Sequence, residues 1–336
     1  MNIVALAGGV GGAKLAHGLT LTPAPLSQGR GDGGLTIIVN TGDDFELHGL
    51  HISPDLDTVT YTLAGLANPD TGWGVAGDTF EFLGALQRLG SEAWFHIGDR
   101  DLATHVRRTE LLRQGKTLTE ATASITRALG IEATILPMTD DRFRTLVETD
   151  QGELEFQEYF VHRQWQPIVK RIRFDGAETA RATSQVRKAL ARADAIILCP
   201  SNPWVSIDPI LTLIYPPAEW NSATDKQSRL KADFHYQPSN SFERPIAAVS
   251  PIVGGQAIKG PAAKMFHELG IEPSAYAVAQ HYAGLVTHFV LDQLDRDQEN
   301  AIQSLGMKTL VTDTIMKSVD DRTRLAGEII ELLRNE

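Results

Sequence analysis

Cysteine is almost missing: Cys199 is the single one in 336 residues. That excludes an intrachain disulfide and any multi-cysteine metal site. At the end of the apolar run Asp194-Ala-Ile-Ile-Leu-Cys199, the thiol reads as a small buried apolar group rather than a nucleophile. There is no basic run either. The chain carries 31 Lys and Arg against 42 Asp and Glu, a net charge of −11. Without clustered cations it has little with which to neutralise nucleic-acid phosphates, so no nucleic-acid partner is expected. No stretch of about 18 apolar residues occurs, which argues against a transmembrane helix and a membrane partner. The first apolar run is too short for a signal peptide, and a cytoplasmic location is expected. Repeats and low-complexity segments are also lacking. What remains is an ordinary globular composition, 42% apolar and 22% charged, long enough for about two domains or one large α/β domain with insertions.

The most informative stretch lies at the beginning. Ile3 to Ala7 reads as a buried parallel strand, Gly8-Gly9-Val10-Gly11-Gly12 follows at once, and a helical pattern starts near Ala13. Strand, glycine turn and helix N-terminus make an anion-binding device, because glycine admits a phosphate to the backbone and unpaired helix N–H groups point at it. Neither standard fingerprint fits. Lys14 stands where G-x-G-x-x-G needs its third small residue, and Ala13-Lys14-Leu15 replaces the Gly-Lys-Ser/Thr of a Walker loop. A nucleotide or diphosphate site of non-standard pattern is the expectation, and a glycine turn that only lets a helix pack on a strand is its competitor.

The strand Leu35–Val39 ends in Asn40-Thr41-Gly42-Asp43-Asp44, and Ser53-Pro54-Asp55-Leu56-Asp57-Thr58 brings two more carboxylates. In an extended backbone Asp55 and Asp57 would share a face. Four aspartates within fifteen residues are costly unless a cation neutralises them, and oxygen-only ligands suit Mg²⁺. Capping of helices or turns by Asp43, Asp44 or Asp57 is the competing account.

Further apolar runs at Ala133–Pro137, Asp194–Cys199, Pro245–Val249, His288–Asp292 and Lys308–Val311 alternate with helical patterns. Among the latter, Thr79–Leu89 would turn Phe80, Phe82, Leu83, Leu86 and Leu89 inward, and Asp99-Arg100-Asp101 would form a tight loop before a helix over Leu102–Gln114. A helix over Glu178–Ala191 and a final one burying Ile315, Leu325, Ile329, Ile330 and Leu333 complete the pattern. The alternation predicts an α/β fold, a doubly wound and mostly parallel sheet formed by residues 1–144 and 175–336. Residues 145–174 alternate polar and apolar in three segments, predicting an inserted β-rich lobe whose Tyr159 and Trp165 either cover a ligand or serve as core. Two polar or Gly/Pro-rich stretches, 23–34 and 220–244, read as surface excursions. In such a sheet the strand ends gather at one crevice, which would collect the first glycines, the aspartates, Ser201-Asn202 and Gly254-Gly255. Phosphate, metal and an acidic cluster together suggest chemistry at a phosphorus centre.

Several of these segments, in this order, resemble one family. They are Gly8 to Lys14, Val39-Asn-Thr-Gly-Asp-Asp44, Ser53-Pro-Asp-Leu-Asp-Thr58, Ile97-Gly-Asp-Arg-Asp101 with Thr104-His105, Pro200-Ser-Asn-Pro203 and Ser250-Pro-Ile252. The chain resembles the 2-phospho-L-lactate transferases (CofD/FbiA) of coenzyme F420 biosynthesis over nearly its whole length. The resemblance implies a homodimeric, Mg²⁺-dependent enzyme with a Rossmann-like core. Such an enzyme joins the deazaflavin FO to a phosphorylated three-carbon acid delivered as a guanosine diphospho-ester, and releases GMP. Carried over to this chain, Gly9, Gly11, Gly12 and Lys14 would hold the diphosphate, with Ser201, Asn202 and Gly254 completing the nucleotide side. The resemblance likewise implies that Asp43, Asp44, Asp55 and Asp57 would supply the metal ligands, Asp43 and Asp57 the catalytic carboxylates, and Asp57, His96 and Arg100 the FO contacts. His96 departs from the family, where several relatives carry lysine, and a neutral imidazole lacks the fixed charge. Lactate, enolpyruvate and glycerate all fit these motifs. Two other readings are a non-enzymatic nucleotide-sugar-binding regulator of the gluconeogenesis factor type and a nicotinamide-dependent oxidoreductase. The intact Asp55-Leu-Asp57-Thr58 opposes the first, and the failed fingerprint opposes the second.

Overall fold

All five residues of the first strand, β1 (Ile3–Ala7), are buried, because the strand is covered on both faces and alternate side chains enter different layers. Val4 and Leu6 join one apolar cluster, while Ile3, Ala5 and Ala7 join another. The same division runs through β2 (Leu35–Val39), β4 (Ala195–Leu198) and β5 (Ile246–Val249), after β3 (Thr134–Pro137) has been laid at the sheet edge. With β6 (His288–Asp292) and β7 (Lys308–Thr312) these make one seven-stranded sheet in the order β7-β6-β5-β4-β1-β2-β3. Every pairing in it is parallel. The structure is a computed structural model and describes residues 1–22, 34–215 and 244–334. The bulk of both polar excursions expected from the sequence lies outside the described residues.

The strand order reverses between β1 and β4, and at such a switch point the loops leaving the two strands part and open a crevice. The loop after β1 runs straight into a helix, Gly9–Leu21, four residues earlier than the sequence pattern predicts. The loop after β4 carries Pro200, Ser201 and Asn202 and enters a short helical turn at Pro203–Ile207. The final helix, Val319–Arg334, packs on the first, burying Leu325, Ile329, Ile330 and Leu333. A Cβ at Gly18 would meet the Arg322 carbonyl oxygen, so only glycine lets the two helices approach so closely. Ile315 lies ahead of the final helix rather than in it.

A second, three-stranded antiparallel sheet combines Arg144–Thr149, Gly152–Glu155 and Val169–Asp175. The polar–apolar alternation expected across 145–174 does not continue as strand beyond Glu155: Glu158–His162 is a wide helical turn. That turn drives Tyr159 fully into the apolar cluster that also holds Val4, Leu6 and Phe266, so this sheet is packed on the main core. Two helices begin elsewhere than predicted, at Ser184 instead of Glu178 and at Asp99 instead of Leu102. In Glu81–Arg88 only Leu83 is buried, while Phe80 and Leu89 are 49% and 83% exposed. The apolar residues there do recur with a helical period, but among the described residues only Leu83 of that face is fully covered.

Candidate active site

A cleft of about 790 Å³ opens at the switch point. One wall is the start of the helix Gly9–Leu21. Gly8 and Ser201 hold each other, with the Ser201 hydroxyl donating to the Gly8 carbonyl at 2.6 Å and the Gly8 N–H donating back at 3.3 Å. Gly9 takes a φ of +61°, a conformation that favours glycine. A Cβ on Gly11 would land on the Pro200 carbonyl oxygen. The glycines therefore serve close packing of the two crossover loops as well as access to the cleft.

The helix N-terminus is already met by an anion. Asp55 accepts from the Gly9 N–H at 2.7 Å through Oδ1 and from the Asn40 side chain at 2.9 Å through Oδ2. Burial pushes the Asp55 carboxyl up to about 6 against these stabilising hydrogen bonds. Asp55 and Asp57 do not share an extended face, since both sit in the first turn of the helix Pro54–Leu63, where Pro54 suits the missing N–H. They reach different partners as a result. Both oxygens of Asp57 accept from the buried Arg108, Oδ1 from Nη2 and Oδ2 from Nη1 at 3.1 Å. Asp57, Asp101 and His105 offer donor atoms lying within 4.8 Å of one another.

Asp43 and Asp44 are settled differently. Asp44 Oδ2 accepts from the Ser53 hydroxyl at 2.8 Å and meets His51 Nε2 at 3.1 Å, while its Oδ1 has no hydrogen-bond partner. Asp43 Oδ1 is buried and unpartnered too. Burial, with the charges of Asp55 and Asp44, holds the Asp43 carboxyl well above the usual range. An orphaned buried acceptor costs about 1–3 kcal/mol, more when charged. Adjacent carboxylates with free oxygens have the donor chemistry of a hard cation site.

The cleft brings together Gly9, Gly11, Lys14, Asp43, Asp55, Asp57, His96, Ser201 and Asn202 of the residues expected from the sequence. Lys14 donates to the Met316 carbonyl at 2.8 Å, and burial lowers its pKa with help from Arg322 and Lys259. His96 is at the exposed rim, its ring 6.2 Å from that of Phe80. Four expected residues do not line the cleft. Gly12 is buried against Ser201 and Ala7, and Asp44 sits within the protein. Arg100 is exposed and donates to the Ala76 carbonyl, and Gly254 gives its N–H to Asp295. The aromatic cover is also not the expected one. Tyr159 is core and Trp165 stands at the surface, whereas Phe95, Phe156, Phe160 and Trp73 line the cleft. Phe156 and Phe160 lie on one side of the helical turn that replaced the predicted strand, their rings stacked 5.4 Å apart. Arg108, His105 and Asp101 went unassigned because their roles depend on a helix face turned toward Asp57, 44 to 51 residues away; the i, i+4 spacing of Asp101 and His105 was the available signal. Cys199 is buried, and burial raises its thiol pKa, in keeping with an apolar role.

The comparisons with known proteins fall on this same architecture. The family described as 2-phospho-L-lactate transferase CofD matches residues 3–215. A 2-phospho-L-lactate transferase of Methanopyrus kandleri is 37% identical over 335 residues, covering 99% of this chain and 98% of that one. A phosphoenolpyruvate transferase of Streptomyces griseus is 36% identical over 339 residues, covering 99% and 98%. A crystal structure of a UPF0052-family protein from Bacillus halodurans shares the fold at a TM-score of 0.58, with 12% identity over 98% of both chains. The chain belongs to the CofD family of 2-phospho-L-lactate transferases. It is thus an enzyme, a transferase, with the expected doubly wound parallel sheet. No helix among the described residues is long and apolar enough to cross a membrane.

Proposed function

We propose that this transferase moves a phosphorylated three-carbon acid from a guanosine diphospho-ester to the terminal ribityl hydroxyl of FO, releasing GMP. Supporting this, one cleft joins a glycine-rich helix N-terminus, an aromatic wall and several aspartates, of which Asp43 has an unpartnered buried oxygen. The observation that carries it is the buried, unpartnered Oδ1 of Asp43 in the cleft lining, with the next residue, Asp44, holding a second unpartnered Oδ1 just inside the protein, in a chain of this family. The hydroxyl oxygen attacks the phosphorus nearest the acid, the bond from that phosphorus to the GMP oxygen breaks with its electron pair leaving on GMP, and Asp57 takes the hydroxyl proton. Gly9 and Gly11 let the diphosphate approach the helix, where a phosphate can replace the Asp55 carboxylate as acceptor for the Gly9 N–H. Lys14 adds a positive charge at the same wall. Asn202, whose amide has a hydrogen to spare beyond Met265, suits the guanosine. Phe156, Phe160 and the rim residue His96 suit the flat deazaflavin. Mg²⁺ held by Asp43 and Asp44 would neutralise charge developing on the leaving phosphate.

Relatives of similar identity carry the names of both a 2-phospho-L-lactate and a phosphoenolpyruvate transferase, so the proposal stops at the class of acid. A homodimer rests on the family resemblance alone and is checked by sedimentation. The decisive test incubates the protein with FO, Mg²⁺ and each guanosine diphospho-ester in turn and reads product mass. A deazaflavin phosphodiester with equimolar GMP is expected. No product from any ester, with tight binding of a nucleotide sugar, would replace this reading with the regulator.

A further inference from the structure

We infer that Arg108 is a positioning residue that, with His105 and Asp101, reserves Asp57 for the acceptor hydroxyl and keeps it out of the metal's coordination. This rests on the reading that the acceptor hydroxyl meets Asp57. Arg108, His105 and Asp101 stand at i, i−3 and i−7 on the helix Asp99–Arg113, so one face presents all three. The Arg108 guanidinium is 3% exposed and forks onto both oxygens of Asp57. Such a fork fixes the plane of the carboxylate and uses one lone pair of each oxygen, leaving another on each. His105 closes the remaining side, with Nδ1 3.5 Å from Asp57 Oδ2 and 3.3 Å from Arg108 Nη1. Behind it, His105 Nε2 lies 3.3 Å from Asp101 Oδ1, which accepts from the Tyr61 hydroxyl at 2.7 Å.

Asp57, Asp101 and His105 have the spacing of a metal site, but a cation is already among them. Arg108 Nη1 lies 3.1 Å from Asp57 Oδ2 and close to His105 Nδ1, and a divalent ion on Asp57 would be repelled by the adjacent guanidinium. No Arg or Lys lies within bridging distance of Asp43 or Asp44 among the described residues, although Arg108 is felt by Asp44 at longer range; His51 beside Asp44 is the lone basic neighbour within bridging distance. The acidic cluster is thereby divided between a metal end and a hydroxyl end.

The test is a double-mutant cycle on kcat with Arg108→Met, Arg108→Lys and Asp57→Asn, with Mn²⁺ binding in the presence of GDP as a second readout. Arg108→Met and Asp57→Asn should each lower kcat on the order of 100-fold, and together no further than Asp57→Asn alone. Arg108→Lys, which keeps charge without the fork, should recover part of the loss where Asp57 is intact and none when combined with Asp57→Asn. KM for the donor and Mn²⁺ affinity should stay within about twofold, since neither reads the fork. Losses that multiply, full activity of Arg108→Lys, or a tenfold drop in Mn²⁺ affinity on Asp57→Asn would overturn the inference. Arg108→Met strands a buried carboxylate; should it not fold by circular dichroism, the Lys arm of the cycle decides alone. A wild-type protein inert toward FO would instead count against the functional reading. The Mn²⁺ arm would then still decide whether Arg108 shields Asp57 from metal, with loss of binding on Asp57→Asn refuting it.

Discussion

Asp57 and Asp43 line the same cleft and are both 5% exposed, yet the protein treats them in opposite ways. Asp57 has a buried guanidinium across both oxygens. Asp43 has a partnerless oxygen, two carboxylates for neighbours and a pKa driven upward by burial. A buried charge is tolerable only with a counter-charge or as a neutral acid. On the proposed reading, the fold supplies the counter-charge at one end and leaves it to Mg²⁺ at the other. In the proposed mechanism the difference would separate the carboxylate that takes the proton from the one that holds the cation.

The comparison breaks most visibly at Asp57. Asp57→Asn should lower turnover on the order of 100-fold, as loss of a positioned base does, in a steady-state assay of GMP release. Asp43→Asn should instead raise the Mg²⁺ concentration for half-maximal activity, by roughly 10- to 100-fold on the scale of disturbed metal ligation, with excess Mg²⁺ restoring part of the rate. Equal Mg²⁺ responses from the two variants would erase the distinction. Gly11→Ala probes the wall the two ends share. Its Cβ meets the Pro200 carbonyl oxygen, and urea unfolding should show a loss of about 1–3 kcal/mol, the usual cost of overpacking.

The smallest effect sharpens the comparison at Asp55, which lies between the two cases. Its pKa of about 6 exceeds the ordinary 3.8, so the folded state holds a proton that the unfolded chain has released. Its contribution to stability is fully present below about pH 4 and is lost as pH rises through about 6. Asp55→Asn removes that titration. Its stability relative to wild type should therefore improve between pH 5 and pH 7.5 by on the order of 1 kcal/mol, measured by urea unfolding at both values without metal.

The parallel sheet was legible because its inner strands are apolar runs covered on both faces, and each ends in a polar loop. The crevice followed from the same pattern, since strand ends in a doubly wound sheet share one edge. Side-chain alliances across it were not legible. Asp55 and Asp57 could be read as paired only on the assumption of an extended backbone, and Pro54 starting a helix turned them toward Gly9 and Arg108 instead. The strand pattern around Tyr159 failed for a similar reason. One helical turn there exchanges which aromatics are core and which face the cleft. Leu89 kept its place in the helical period but is 83% exposed among the described residues, because amphipathicity records a face and not its neighbour.

The most direct measurement is Mn²⁺ titration, followed by its electron paramagnetic resonance signal, of wild type, Asp43→Asn and Asp57→Asn in the presence of GDP. The account predicts that Asp43→Asn weakens binding at least tenfold and that Asp57→Asn leaves it within about twofold, as a site with its own guanidinium requires. Binding lost in Asp57→Asn and kept in Asp43→Asn would contradict it, placing the metal at the end of the cluster that Arg108 already neutralises.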